Sequence, residues 1–181
     1  MDPMIAAHEQ VGANRYREAY GLHYEEFVIG DVFEHRPGRT VTELDNIWQS
    51  LFNMNNHPAH IDAAYAQHTE FEKLLVNSSL TLSIVSGMTV ATMSARAIAN
   101  LGWDEIRLPN PVYVGDTLYA ESEVVSKRES RSRPGQGIVT IKVIGRKQDA
   151  TPVITYLRTF LVPKRGYSQK YPIGQGTSAS Y

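Results

Sequence analysis

Asn77-Ser78-Ser79-Leu80-Thr81-Leu82-Ser83-Ile84-Val85-Ser86-Gly87-Met88-Thr89-Val90-Ala91 lies within a longer run, Leu74 to Ala95, in which no residue carries a charge. Such a run is long enough to span a bilayer. Hydroxyl and amide side chains (Asn77, Ser78, Ser79, Thr81, Ser83, Ser86, Thr89, Thr92 and Ser94) fill much of it, so a helix buried inside a soluble fold is the better reading. The pattern predicts a helix that opens at Ser78 or Ser79 and runs to about Asn100, where Asn100-Leu101-Gly102 is a stop signal. Leu80, Leu82, Ile84, Val85, Met88, Val90, Ala91, Met93, Ala97 and Ile98 cover nearly its whole circumference. A helix of that kind needs apolar cover on most sides.

The second half of the chain supplies the cover. Val112 to Val125, Ile138 to Ile144 and Val153 to Leu161 are rich in β-branched and aromatic residues. Turn chemistry falls at Gly115-Asp116, Pro134-Gly135-Gln136-Gly137 and Gln148-Asp149. The first two runs are expected to form a hairpin and the third to extend the same sheet. Strands gathered after a long apolar helix indicate an α+β fold, with an antiparallel sheet curled around the helix, rather than alternating βαβ units.

Upstream, Tyr24 to Arg39 reads as a pair of strands turning at Gly30-Asp31. Thr42-x-x-Asp45 resembles a capping box with Asp in the place of Glu. It opens a helix whose apolar face is Leu44, Ile47, Trp48, Leu51 and Phe52. That helix should stop at Asn55-Asn56-His57-Pro58-Ala59-His60-Ile61-Asp62, because Pro58 ends it and stiffens the connection. Asp62 then caps a short helix through Tyr65 and His68. Trp48 and Trp103 read as core or interface residues.

The chain has 181 residues, enough for one well-buried core and short for two domains. The expected organisation is an arm over 1–20, a single domain over 21–165 and a Gly- and Ser-rich tail over 166–181. A formal net charge of −1 gives no overall attraction to nucleic acid. There is no cysteine, hence no disulfide framework and no thiolate nucleophile or ligand, which fits a reducing cytoplasm. Met1-Asp2-Pro3-Met4 shows no basic and apolar leader pattern. Neither membrane nor nucleic-acid partners are expected.

Two imidazoles and a carboxamide beside a rigid turn make an acid/base site plausible, since imidazole exchanges protons near neutral pH. Taken alone, His57 and His60 are equally well explained as structural histidines bonded to backbone carbonyls. A metal site built from His57-x-x-His60 with Asp62 is the weaker alternative, because the spacing crosses a proline and lacks the helical His-Glu-x-x-His context. The first turn at Asn77-Ser78-Ser79 offers unpaired N–H groups and the positive end of a helix dipole.

Tyr24-Glu25-Glu26-Phe27 before Gly30-Asp31, Arg39-Thr40-Val41-Thr42-Glu43, the Asn55–Asp62 turn, the long helix and Asn110-Pro111-Val112-Tyr113-Val114-Gly115-Asp116-Thr117-Leu118 together resemble the MaoC-like hydratases. These have a hotdog fold and act on acyl-CoA thioesters, and the likeness covers roughly Gly21 to Arg165. Arg128-Glu129-Ser130-Arg131-Ser132-Arg133-Pro134-Gly135-Gln136-Gly137 resembles the branch that acts on mesaconyl-CoA or itaconyl-CoA. In the simple (R)-specific enoyl-CoA hydratases the turn reads Asp-x-Asn-Pro-x-His. Here Asn55 takes the place of the Asp, His57 that of the Asn, and His60 keeps its own.

The resemblance implies a hydro-lyase that adds water to an enoyl thioester, with CoA entering as substrate and no separate cofactor. The resemblance carries over to His60 as the base and Ser78 N–H as the oxyanion donor. The chemistry of the residues themselves makes His57 an acid or positioning group and Asn55 a water holder, with Asn77 and Ser79 beside the substrate. Arg128, Arg131 and Arg133 are either a solvated hairpin tip or a clamp for CoA phosphates or a substrate carboxylate. Loss of the Asp suits a substrate that carries its own carboxylate, and a protonated His57 would attract it. A thioesterase and a non-catalytic acyl-CoA or carrier-protein binding module are the rival functions. The open sheet edge points to a homodimer.

Overall fold

The computed structural model of the protein describes residues 8–167. A hairpin of β1 (His8–Gly12) and β2 (Arg15–Glu18) forms a separate two-stranded sheet within the expected arm. Residues 1–7 of that arm and 168–181 of the expected tail lie outside the described residues. The main sheet is antiparallel, in the order β3-β5-β6-β7-β4: β3 is Val32–Thr40, β4 Ala99–Arg107, β5 Thr117–Glu129, β6 Gln136–Lys147 and β7 Pro152–Pro163. The helices are α1 (Glu43–Phe52), α2 (Pro58–Ile61), α3 (Ala63–Ala66) and α4 (Ser78–Met88). This is the hotdog arrangement, a curled sheet around α4.

Burial explains why α4 sits where it does. Leu80, Ile84 and Val85 join Leu118, Val124, Val139, Ile141, Val143, Ile154, Tyr156 and Phe160 in one core cluster. Gly145 on β6 is the point of closest approach. A Cβ there would stand 2.7 Å from methyl carbons of both Val85 and Ile154, so a side chain would push the helix off the sheet.

Three expectations about the elements change. The long helix ends at Met88 rather than near Asn100, and a π-helical turn (Val90–Ser94) follows it. Thr89 folds its hydroxyl onto the Ser86 carbonyl (2.8 Å), while the buried Arg158 donates to that hydroxyl (2.9 Å) and to Asn100 (2.8 Å). A cation at the helix C-terminus is favoured by the dipole. Asn100-Leu101-Gly102, read as a stop, lies inside the edge strand β4 and is irregular there. Tyr24–Glu26 is a 3₁₀ turn, so only one strand of the expected pair forms. β5 starts at Thr117, because Tyr113–Asp116 is spent on a turn closed by Asp116 N–H to Tyr113 C=O (3.1 Å) and pinned to Val41.

The largest change concerns α1. The Thr42–Asp45 capping box forms as expected, but the helix packs with its polar side inward. Asn46 and Ser50 are fully buried, whereas Leu44, Trp48 and Phe52 are 65%, 58% and 77% exposed. Trp48 and Phe52 stack at 6.1 Å on that outer face. Trp103, on edge strand β4, is also exposed, so neither tryptophan is a core residue.

His35 on β3 is buried, with Nε2 on the Ser122 hydroxyl at 2.9 Å and Nδ1 without a partner. Burial, assisted by the neighbouring Arg36 charge, lowers its pKa from 6.5 to about 4. The unfolded chain therefore takes up the proton first. Its contribution is complete above pH 6.5 and is lost as pH falls towards about 4. Unfolding free energy should decline across that window by at most about 1.4 kcal/mol per pH unit, the value for one proton. Denaturant titrations of His35→Gln should show this part of the slope removed.

Candidate active site

The turn after α1 is built by its own side chains. Asn55 Oδ1 accepts the His57 N–H (3.3 Å), and His57 serves as the N-cap of α2, its Nδ1 accepting from Ala59 N–H (3.2 Å). Pro58 occupies the first helical position, where its missing N–H costs nothing. One turn later, His60 Nδ1 lies 2.8 Å from the Leu75 carbonyl. The two rings are 5.8 Å apart, and Tyr65 stands edge-on to His57 at 6.4 Å. His57 is exposed and His60 half-buried. Asp62 accepts from Tyr65 N–H (2.9 Å) and caps α3, the structural part read for it.

These partners assign the protons. A carbonyl only accepts, so His60 keeps a proton on Nδ1, and the neutral ring then presents a bare Nε2. His57 has the opposite assignment: Nδ1 is an acceptor, so its proton sits on Nε2. Protonating Nδ1 would set two donors against each other and break the cap. The expectation of a cationic His57 that attracts a substrate carboxylate therefore conflicts with the geometry, which uses His57 as a neutral cap. His60 does bond a backbone carbonyl, as a structural histidine would, but through one nitrogen only.

Leu75 connects this turn to α4. Its N–H donates to Ala59 C=O (3.0 Å), and Val76 N–H donates to Val112 C=O (2.9 Å), placing α4 beside the Asn110–Val112 segment. Asn77 caps the helix, its Oδ1 accepting from both Ser79 N–H (3.0 Å) and Ser79 Oγ (2.8 Å). Leu80 and Thr81 N–H both reach the Asn77 carbonyl. The Ser78 amide alone, of these four, has no hydrogen-bond partner, and Ser78 is exposed. A cleft of about 230 Å³ opens at this point, lined by Phe71, Leu75, Val76, Ser78, Thr81 and Leu108–Val112. The imidazoles are not part of that lining. Leu75 lines the cleft, and its carbonyl bonds the His60 ring.

Residues outside the expected site hold it together. Asn46 and Ser50 on the inner side of α1 and the exposed Asn53 at its C-cap all bond the start of α4: Asn46 to Asn77 N–H, Ser50 to Asn77 Nδ2, and Asn53 to Ser79 Oγ. The signal for them was present as three small polar residues at i, i+4 and i+7, opposite the apolar arc. Reading the apolar arc as the core side concealed it.

A family model described as mesaconyl-CoA hydratase matches residues 8–177. The chain belongs to the mesaconyl-CoA hydratase family. It is 33% identical over 146 residues to a mesaconyl-CoA hydratase of Haloarcula marismortui and 34% identical over 146 residues to a beta-methylmalyl-CoA dehydratase of Chloroflexus aurantiacus. Each alignment covers 80% of this chain and 41% of the relative, so the chain spans about two fifths of the curated relatives' length. A solved MaoC domain protein dehydratase of Chloroflexus aurantiacus superposes with a TM-score of 0.76 at 31% identity, covering 84% of this chain and 43% of that one.

Within this family member, the structure brings together His57, His60, Asn55, Asn77, Ser78 and Ser79, but not the arginines. Arg128, at the far end of β5, lies roughly 36 Å along the strand from Thr117, which adjoins the site. Arg131 and Arg133 lie beyond it on the exposed β5–β6 tip. Lys127 is occupied in holding the Tyr24–Phe27 turn through the Phe27 carbonyl and the Tyr24 ring. Nearer the cleft, Lys73 sits over the Tyr113 ring at 4.0 Å. Among the described residues no group of three or more His, Cys, Asp or Glu is placed to hold a metal, and no helix is long and apolar enough to cross a membrane.

The cap assignment is directly measurable. Chemical denaturation of His57→Ala should show a loss of about 1 kcal/mol, the usual cost of an N-cap. His57→Asn, which restores a strong capping side chain, should unfold close to the parent midpoint.

Proposed function

We propose that the chain is a hydro-lyase that reversibly adds water across the C2=C3 bond of a short, branched enoyl-CoA bearing a second carboxylate, of the mesaconyl-, itaconyl- or methylmalyl-CoA type. The observation that carries this reading is the His60 tautomer, with a bare Nε2 on the helix-capping turn joined through Leu75 to a helix start that has one unpartnered N–H. The kinship with a mesaconyl-CoA hydratase and a beta-methylmalyl-CoA dehydratase supports the choice of acyl group.

The chemistry follows from the proton assignments. The thioester carbonyl accepts from Ser78 N–H at the positive end of α4, and one such donor is worth roughly 3–4 kcal/mol in the transition state. His60 Nε2 takes a proton from water, the hydroxide adds to C3, and the C2=C3 electron pair moves onto the carbonyl as an enolate. Protonation at C2 then needs an acid. A neutral His57 that gave up its Nε2 proton would become an imidazolate, so His57 orients the water instead. His60 returns the proton it took, which balances the reaction with a single carrier and places H and OH on the same face. Asn55, its Oδ1 committed to His57 N–H, contributes its NH₂ group to holding water. An amide at position 55 in place of a carboxylate, with the only carboxylate of the turn, Asp62, spent on capping α3, also suits an anionic acyl group.

The outward apolar arc of α1 supports a homodimer. A surface carrying Trp48, Leu51, Phe52 and Met54 at this exposure calls for a cover. Sedimentation of the Trp48→Glu, Phe52→Glu double variant should shift the protein towards monomer.

Incubation with mesaconyl-CoA should remove the conjugated absorbance without releasing thiol. Thiol release would instead identify a thioesterase. Crotonyl-CoA hydrated far faster than mesaconyl-CoA would overturn the carboxylate-bearing substrate. His60→Ala should lower kcat by about 10²–10⁴, the range for loss of a general base.

A further inference from the structure

Asn46 is fully buried on α1, and its carboxamide reaches three backbone groups outside that helix. Nδ2 donates to the carbonyls of His60 (3.0 Å) and Leu75 (3.2 Å), and Oδ1 accepts from Asn77 N–H (2.8 Å). The chemistry of the partners fixes the amide's orientation, since two carbonyls only accept and an N–H only donates. The Leu75 carbonyl is also the acceptor that takes the His60 Nδ1 proton (2.8 Å). Asn77 shares its following peptide plane with the Ser78 N–H. Ser50 Oγ, also fully buried, receives Asn77 Nδ2 (3.2 Å) and fixes the other side of the same residue. One carboxamide thus touches the residue that carries the base, the carbonyl that sets its tautomer, and the residue that leads into the oxyanion donor.

We infer that Asn46 is the positioning residue of this site: it holds His60 in the tautomer with a bare Nε2 and sets the separation of that base from the Ser78 N–H. The inference rests on the hydration reading above for its catalytic consequence, though not for its geometry. Asn46 touches no substrate. It acts because the base and the oxyanion donor come from separate segments, and this carboxamide bonds the His60 carbonyl, the Leu75 carbonyl and the Asn77 N–H at once. A displacement of about 1 Å in such a pair costs on the order of 100-fold in rate. Asn46→Asp keeps the Oδ1 acceptor for Asn77 but turns an oxygen towards two carbonyl oxygens. Asn46→Leu removes both functions at similar volume.

The test joins nitrogen NMR of ¹⁵N-histidine-labelled, ligand-free protein to kinetics with mesaconyl-CoA. The parent should show His60 with a protonated Nδ1 and an unprotonated Nε2. In Asn46→Asp that single tautomer should give way to a mixture, with kcat down roughly 10- to 100-fold and KM within about twofold. As pH falls and the new carboxyl regains a donor proton, the variant's kcat relative to the parent should partly recover. A folded Asn46→Asp or Asn46→Leu with the parent's nitrogen pattern and kcat, or with a loss confined to KM, overturns the inference. Should both variants fail to fold, the parent decides: the Asn46 NH₂ protons should exchange slowly with deuterium oxide, and exchange at the solvent rate overturns it. A parent that hydrates no enoyl-CoA removes the hydration reading, while the nitrogen shifts and amide exchange still decide for or against the clasp.

Discussion

The start of a buried helix carries N–H groups that its own turns do not satisfy, and the organisation of this molecule around α4 follows from that constraint. The sheet takes the apolar sides of the helix, with Gly145 clearing the closest approach. Its first turn is then left in a setting where water does not fully serve it. Asn77 answers for the Ser79 amide, and its carbonyl for Leu80 and Thr81. The inner stripe of α1 holds Asn77 in place. The Ser78 amide remains, on a residue that lines the cleft. Structural satisfaction of the other donors makes that one available.

The same economy governs the histidine turn. Each imidazole spends Nδ1 on the backbone, one as acceptor and one as donor, so two chemically identical rings emerge with opposite protons on their outward nitrogens. In the neutral rings only His60 leaves its outward nitrogen without a proton. No carboxylate is needed to create this difference. A helix cap at His57 and the Leu75 carbonyl at His60 are sufficient, which gives a physical account of a turn that has lost the Asp of the simpler hydratases.

Much of the fold was legible in the residues. The uncharged run with apolar groups on every side demanded a wrapper, and the β-branched runs that follow could only supply an antiparallel one. The Thr42–Asp45 box and the Asp62 cap were readable because each is a local device whose partners lie within four residues, whereas Pro58, read as the stop of α1, opens α2 five residues after α1 has ended at Asn53. Asn55 and His57 stood out because each bonds within two residues, and Ser78 because helix starts leave free donors. The His60 partner, Leu75, lies fifteen residues away and was not readable. The end of α4 was not legible. Ala97 and Ile98 continue a helical pattern, and the residue that bonds Thr89 at the end of α4 is Arg158, on β7 far along the chain.

Local sequence therefore determined α1, α3, the start of α4 and strands β5 to β7, the architecture they require, and the residue types at the turn. Tertiary structure alone decided which side of α1 faces inward, since an amphipathic helix has an apolar arc and a polar arc and its own residues do not say which meets the core. It decided the histidine tautomers, because the acceptor for His60 comes from Leu75. It separated Arg128, Arg131 and Arg133 from the site, a matter of strand direction and length rather than composition. Each of these depends on contacts between residues distant in sequence, and the free energy of such contacts exists only once the chain has closed on itself.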